Sequence, residues 1–159
     1  MSHQVTTELW EAQLPEGWIQ VHRDPEEEVY FESPDGAKGV YVSAWRTRNQ
    51  SLVEAMRDTR AVEKRNLPPS GRGSWEVLTS KELDSGPDID AETEYINRAD
   101  RYRIVSRLLG RDDFYVRMTY HDYDCADPAE SEESSRSVLQ SLTLRGGRPV
   151  NPDDGGRTR

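Results

Sequence analysis

The densest group of side chains capable of chemistry is the run His121-Asp122-Tyr123-Asp124-Cys125-Ala126-Asp127, with an imidazole, carboxylates and a thiol close together. Such groups bind zinc and related metals when they converge. A linear run at a strand end does not aim four ligands at one ion, and the paired spacings of strong metal sites are absent. The run reads instead as an acidic loop whose Asp127 caps a helix. Cys125 with His121 or His22 has the types of a thiolate and its base, but the neighbouring carboxylates disfavour a thiolate. The expectation is therefore no catalytic residue, no metal and no cofactor.

A second group lies just upstream. Arg103, Val105, Arg107 and Leu109 alternate on one face of a strand, and Arg117 shares a face with Tyr115 on the next. Arg beside Tyr on a rigid sheet suits recognition of carboxylates or aromatic groups. The competing reading is cross-strand pairing with Glu76, Glu92 or Glu94 on a solvated face. Candidate binding residues are thus Arg103, Arg107, Tyr115 and Arg117 on the sheet, with Asp122 and Asp124 in the acidic loop as the alternative surface. Gly71-Arg72-Gly73 and Arg145-Gly146-Gly147 lack both the Lys-Ser/Thr ending of a phosphate loop and the repetition of an RNA-binding segment.

The elements that must position these groups follow from turn and cap chemistry. Pro15 and Gly17 introduce a strand over 18–22, and a second strand covers 29–32. Ser33-Pro34-Asp35-Gly36 spells a type I turn into a strand over 39–45, with Val40, Val42 and Ala44 against Tyr41, Ser43 and Trp45. Ser51-Leu52-Val53-Glu54 is a capping box that starts a helix reaching about Asn66. Leu52, Ala55, Met56, Thr59 and Val62 share its apolar face, and Pro68-Pro69 end it. Strands over 75–83, 89–98, 102–109 and 114–120 then form a meander. Asp127, Pro128 and Glu130 open a second helix to about Gln140, with Val138, Leu139 and Leu142 facing inward.

The length of 159 residues fits one domain, assigned to 14–144 between a polar lead-in over 1–13 and a disordered tail over 145–159. A net charge of −9 disfavours nucleic acid and anionic membrane surfaces and suits a basic protein partner. The N-terminal residues lack the basic start and apolar run of a signal peptide, no run is long enough to span a membrane, and a single cysteine forms no internal disulfide. The expected location is cytoplasmic.

A Leu-Pro-x-Gly-Trp opening at Leu14 to Trp18, a hairpin, a Ser-capped helix, a meander and a closing Ser137-Val138-Leu139-Gln140-Ser141-Leu142 resemble the PsbP-like domains. That family includes a photosystem subunit, a Ran-binding import factor, bacterial lipoproteins and effector-loading chaperones. The resemblance implies an α+β fold, a central antiparallel sheet flanked by helices, and function by binding rather than by a shared active site. The lipoprotein signal and its Cys have no counterpart here. The leading expectation is a non-enzymatic protein-binding module, as adaptor, chaperone or immunity-type partner neutralising a basic protein. The alternative is a small hydrolase or isomerase using His121 and the nearby Asp residues.

Overall fold

The structure, a computed structural model, describes residues 2–21, 28–85 and 87–146. His22 of the first expected strand, Gly86, and 147–159 of the expected tail lie outside the described residues. In chain order the elements are β1 (His3–Thr6), β2 (Trp10–Leu14), β3 (Ile19–Val21), β4 (Glu28–Glu32), β5 (Lys38–Arg46) and α1 (Leu52–Arg65). They continue as β6 (Glu76–Ser85), β7 (Asp88–Asn97), β8 (Tyr102–Arg111), β9 (Phe114–Asp122), α2 (Pro128–Gln140) and β10 (Thr143–Leu144). Seven strands form one antiparallel sheet in the order β3-β4-β5-β9-β8-β7-β6, and β1-β2-β10 form a second, smaller sheet. This is the expected α+β architecture. No helix among the described residues is long and apolar enough to cross a membrane.

The local signals act as their chemistry requires. The Gly36 N–H donates to Ser33 O at 2.9 Å and Gly36 takes φ +69°, so the turn delivers β4 into β5. Ser51 Oγ accepts from the Glu54 N–H at 3.2 Å while the Glu54 carboxylate accepts from the Ser51 N–H, completing the capping box. The Asp127 carboxylate accepts from the Ala129 N–H at 2.9 Å and starts α2.

The large sheet is joined into one by β9 pairing with β5, from Lys38 opposite Asp122 to Arg46 opposite Phe114. This long-range pairing sorts side chains onto two faces. One face carries Val40, Val42, Val105, Leu109, Val116, Met118 and Tyr120, buried with Trp10, Trp18 and Phe31 beneath α2 and the small sheet. On the other, Met56 and Ala55 of α1 pack on Leu108 and Tyr115. Gly110 permits the close approach, because a Cβ there would lie 2.6 Å from Met56 Sδ.

Two expectations are corrected here. The segment 1–13, read as a lead-in, is largely strand. Trp10, Ala12 and Leu14 alternate inward and are buried, and β2 gains backbone partners on both sides from β1 and β10. The inward stripe of α1 also differs: Val62 stays 41% exposed, whereas Glu63 is buried with Ala55 and Met56. Glu63 points inward because Ser106 and Tyr95 on the sheet donate to its carboxylate.

Candidate functional site

The sheet residues singled out in the sequence divide between the two faces. Register sets Arg103 opposite Asp122 and Arg107 opposite Met118, whereas Arg117 lies opposite Leu108 and Tyr115 opposite Gly110. A single binding face carrying all four is therefore corrected to two unlike environments.

Beneath α2 the arginines are enclosed. Arg103, 1% exposed, donates to Glu94 at 2.9 Å and to Ser131 and Ser135 at 3.0 Å. Pairing with Glu94 was the competing sequence reading, but the pair is covered by α2 rather than solvated. Arg107 grips Asp90 with two hydrogen bonds, at 2.8 and 3.0 Å, and donates to the Leu139 and Leu142 carbonyls. The latter contacts fall at the C-terminal end of α2, whose last turn has no basic residue of its own. Asp122 is buried on this face and accepts from the Asp124 N–H at 3.2 Å. Asp124 lies outside, 66% exposed, in an ion pair with Arg101.

On the α1 face the sheet stays partly open. Because α1 lies over β8, a pocket of about 580 Å³ remains between the helix and β5 and β9. Its sheet side presents Tyr41, Trp45, Tyr102, Tyr115, Arg117, Thr119 and His121, and its helix side presents Ala55, Asp58, Thr59, Val62 and Glu63, closed at one end by Leu67 and Pro68. Tyr115 exchanges a hydrogen bond with Thr59 at 2.7 Å and packs on Trp45, with ring centroids 5.2 Å apart. The Arg117 guanidinium sits 5.2 Å from the Trp45 ring and 3.7 Å from the Glu63 carboxylate, with its side chain 21% exposed. Glu63 also accepts from Ser106 at 2.7 Å and Tyr95 at 3.2 Å.

His121 borders this pocket. Its Nδ1 lies 2.7 Å from the Tyr102 hydroxyl and its Nε2 3.3 Å from Thr119 Oγ1, so a neutral ring meets both with one nitrogen accepting and the other donating. Burial, assisted by the positive charge of Arg117, holds its pKa down to about 4. The Tyr102 phenol is pushed upward, first by burial and then by Tyr41 and Tyr30. The Cys125 thiol is raised by burial and by Asp122, an environment opposed to a reactive thiolate. Strand alternation thus separates the run 121–127: His121 faces the α1 pocket, Asp122 faces α2, and Asp124 faces outward. Among the described residues no group of three His, Cys, Asp or Glu side chains is placed to hold a metal ion.

Tyr41, Trp45, Tyr102, Thr59 and Glu63 complete a site of which the sequence singles out Tyr115 and Arg117 for binding and His121 for the enzyme alternative. The alternation placing Tyr41 and Trp45 on one face of β5 was legible. That this face adjoins Tyr115 and Arg117 depends on the β5–β9 pairing across about 70 residues of chain, which no local pattern specifies.

No protein-family model matches the chain, and no curated protein matches it in sequence. Similarity is found among solved structures. The solution structure of cyanobacterial PsbP (CyanoP) from Synechocystis aligns with a TM-score of 0.67 at 14% identity, covering 91% of this chain and 92% of that one. The Saccharomyces cerevisiae Ran-binding protein Mog1p aligns with a TM-score of 0.56 at 13% identity, covering 91% of this chain and 95% of that one. The chain has the PsbP-like fold.

Proposed function

We propose that this chain is a non-enzymatic protein-binding module, an adaptor or neutralising partner, that engages another protein at the pocket between α1 and the sheet. The observation that carries this reading is the pocket itself: a partly open, aromatic-walled cleft on the sheet, with Arg117 beside its aromatic wall and the carboxylates of Glu28, Asp58 and Glu63 in its lining. Val62, 41% exposed on α1, adds apolar surface to the helix wall of the pocket. The net charge of −9 favours encounter with a basic partner. Mog1p, which shares the fold, is a Ran-binding protein.

The hydrolase or isomerase alternative needs a carboxylate working with His121. Asp122 points through the opposite face and Asp124 is held outside by Arg101, while both nitrogens of His121 are engaged by Tyr102 and Thr119. The geometry favours binding over catalysis.

The test uses a partner purified from native extract and measured by calorimetry against three forms of the chain. Val62→Arg, at an exposed position on the pocket wall, is expected to weaken binding about tenfold or more by bulk and by repulsion of a basic partner. Asp124→Lys, outside the pocket, is expected to leave affinity within about twofold. Binding unmoved by Val62→Arg but lost in Asp124→Lys would place the interface on the acidic turn and overturn this assignment.

A further inference from the structure

Arg117 differs from the arginines beneath α2 in how its charge is used. Among the described residues its guanidinium makes a loose ion pair with Glu63 and lies over Trp45, and it donates no hydrogen bond. Glu63 already accepts from Ser106 and Tyr95, so the planar fork of Arg117 keeps donors for an incoming acceptor. Its positive charge reaches along β9, where it adds to the lowering of the His121 pKa. The aromatic wall is immediate: the guanidinium stands 5.2 Å from the Trp45 ring, which is itself 5.2 Å from the Tyr115 ring. An anion donor and an aromatic wall this close fit a carboxylate and a ring carried by one residue, and in a polypeptide that residue is a C-terminal aromatic.

The outer lining has the opposite sign. Glu28 and Asp58 are exposed, and Asp58 is oriented by a hydrogen bond from Gln50 at 2.8 Å. A free aromatic acid passes these carboxylates with nothing to compensate them. A chain ending in an aromatic residue compensates them if it carries a basic residue upstream, which agrees with the acidic charge of the whole protein.

We propose that the pocket receives the C-terminal aromatic residue of a partner chain, its carboxylate on Arg117, its ring against Trp45 and Tyr115, and an upstream basic residue at Glu28 and Asp58. This deepens the protein-binding reading and rests on it. Arg117 supplies a charge-assisted, two-pronged contact that Lys reproduces only in part.

The test is an NMR titration of the full chain with acetyl-lysyl-glycyl-tyrosine, its C-terminal amide, the acetyl-glutamyl-glycyl-tyrosine counterpart, and 3-(4-hydroxyphenyl)propionate. The free-acid lysyl peptide is expected to shift pocket amides on β5 and β9 and to bind at least about tenfold more tightly than its amide. The glutamyl peptide is expected to bind several-fold more weakly. Arg117→Gln, verified as folded by its amide spectrum, is expected to remove the advantage of acid over amide, and Arg117→Lys to retain part of it. Equal binding of acid and amide by the wild-type chain, or shifts confined to other surfaces, would overturn the proposal without any variant. Tighter binding of the free phenylpropionate than of the lysyl peptide would assign the pocket to a small acid and overturn the partner-chain source. Failure here with partner binding still lost in Val62→Arg sinks the carboxylate alone, whereas partner binding unmoved by Val62→Arg sinks the underlying interface.

Discussion

The two faces of the large sheet use arginine in opposite ways. Beneath α2, Arg103 and Arg107 are enclosed and matched by carboxylates, serine hydroxyls and helix-end carbonyls. Beside α1, Arg117 touches an aromatic ring and one distant carboxylate in a pocket that solvent enters. The closed face spends most of its polar groups on one another, although Arg103 Nε and the Tyr120 hydroxyl are buried without a hydrogen-bond partner among the described residues, and it fixes how α2 docks. The open face leaves hydrogen-bonding capacity directed into a cavity. Residue type therefore says little about role on this sheet, and the covering helix decides it.

Truncation separates the faces most sharply. Arg107→Ala takes the guanidinium from the buried Asp90 carboxylate and from the α2 carbonyls together, so a loss of about 3 to 5 kcal/mol is expected in denaturant unfolding. Arg103→Ala is expected to be comparably severe, because Glu94, Ser131 and Ser135 lose a common donor. A cost below about 1 kcal/mol for Arg107→Ala would mean that the closed face is held by its apolar core alone.

Acid probes the open face through His121. Its pKa is ordinarily 6.5 and is held at about 4 in the folded chain, so between these values the unfolded chain takes up a proton that the folded one refuses. Stability from the neutral ring is thus fully present above pH 6.5 and declines as pH falls toward 4, by roughly 2 to 3 kcal/mol. His121→Gln isolates this contribution from the carboxylates: the stability difference between wild type and variant is expected to be flat above pH 6.5 and to move against wild type below it. A difference independent of pH from 4 to 7 would contradict the buried neutral ring.

The helix starts supply a control for the contrast, since both have conventional caps. Ser51→Ala and Asp127→Ala are each expected to cost about 1 kcal/mol. Similar losses would leave the C-terminal ends as the difference between the helices, with Arg107 reaching α2 across the sheet while α1 has its own Lys64 and Arg65 in the last turn. A loss from Asp127→Ala several times that from Ser51→Ala would shift the contrast to the helix starts.

These contrasts mark how far the sequence can be read. The Ser51 and Asp127 caps, the turn at Ser33 to Gly36 and the alternation on β5 and β9 were legible because a few neighbouring residues contain the whole interaction. Leu142, Val138 and Leu139 were likewise legible as core, from helical spacing alone. The strand Trp10–Leu14 is hard to read although Trp10, Ala12 and Leu14 alternate, since the polar residues around them mask a short strand whose partner β10 arrives from the other end of the chain. Glu63 was legible only as a polar helix residue. Its burial is set by Ser106 and Tyr95, which the meander brings beneath it. The pocket combines both difficulties, because each wall has a local signal but their apposition is a tertiary event.

The smallest expected effect is the most discriminating. Arg117→Gln should cost about 1 kcal/mol or less in stability, because its pairing with Glu63 is loose at 3.7 Å and partly solvated, and Glu63 keeps its Ser106 and Tyr95 donors. Arg107→Gln should cost several times more, since no glutamine amide reproduces a two-pronged grip on Asp90 together with two carbonyl contacts. Both substitutions replace an arginine on neighbouring strands by the same amide, so a difference between their unfolding midpoints reports environment and not residue type. Equal losses would show that Arg117 is structural too, and its guanidinium would then have little freedom to serve a ligand. A near-neutral Arg117→Gln beside a costly Arg107→Gln leaves the pocket arginine dispensable for folding, which is the condition under which its position over Trp45 serves binding.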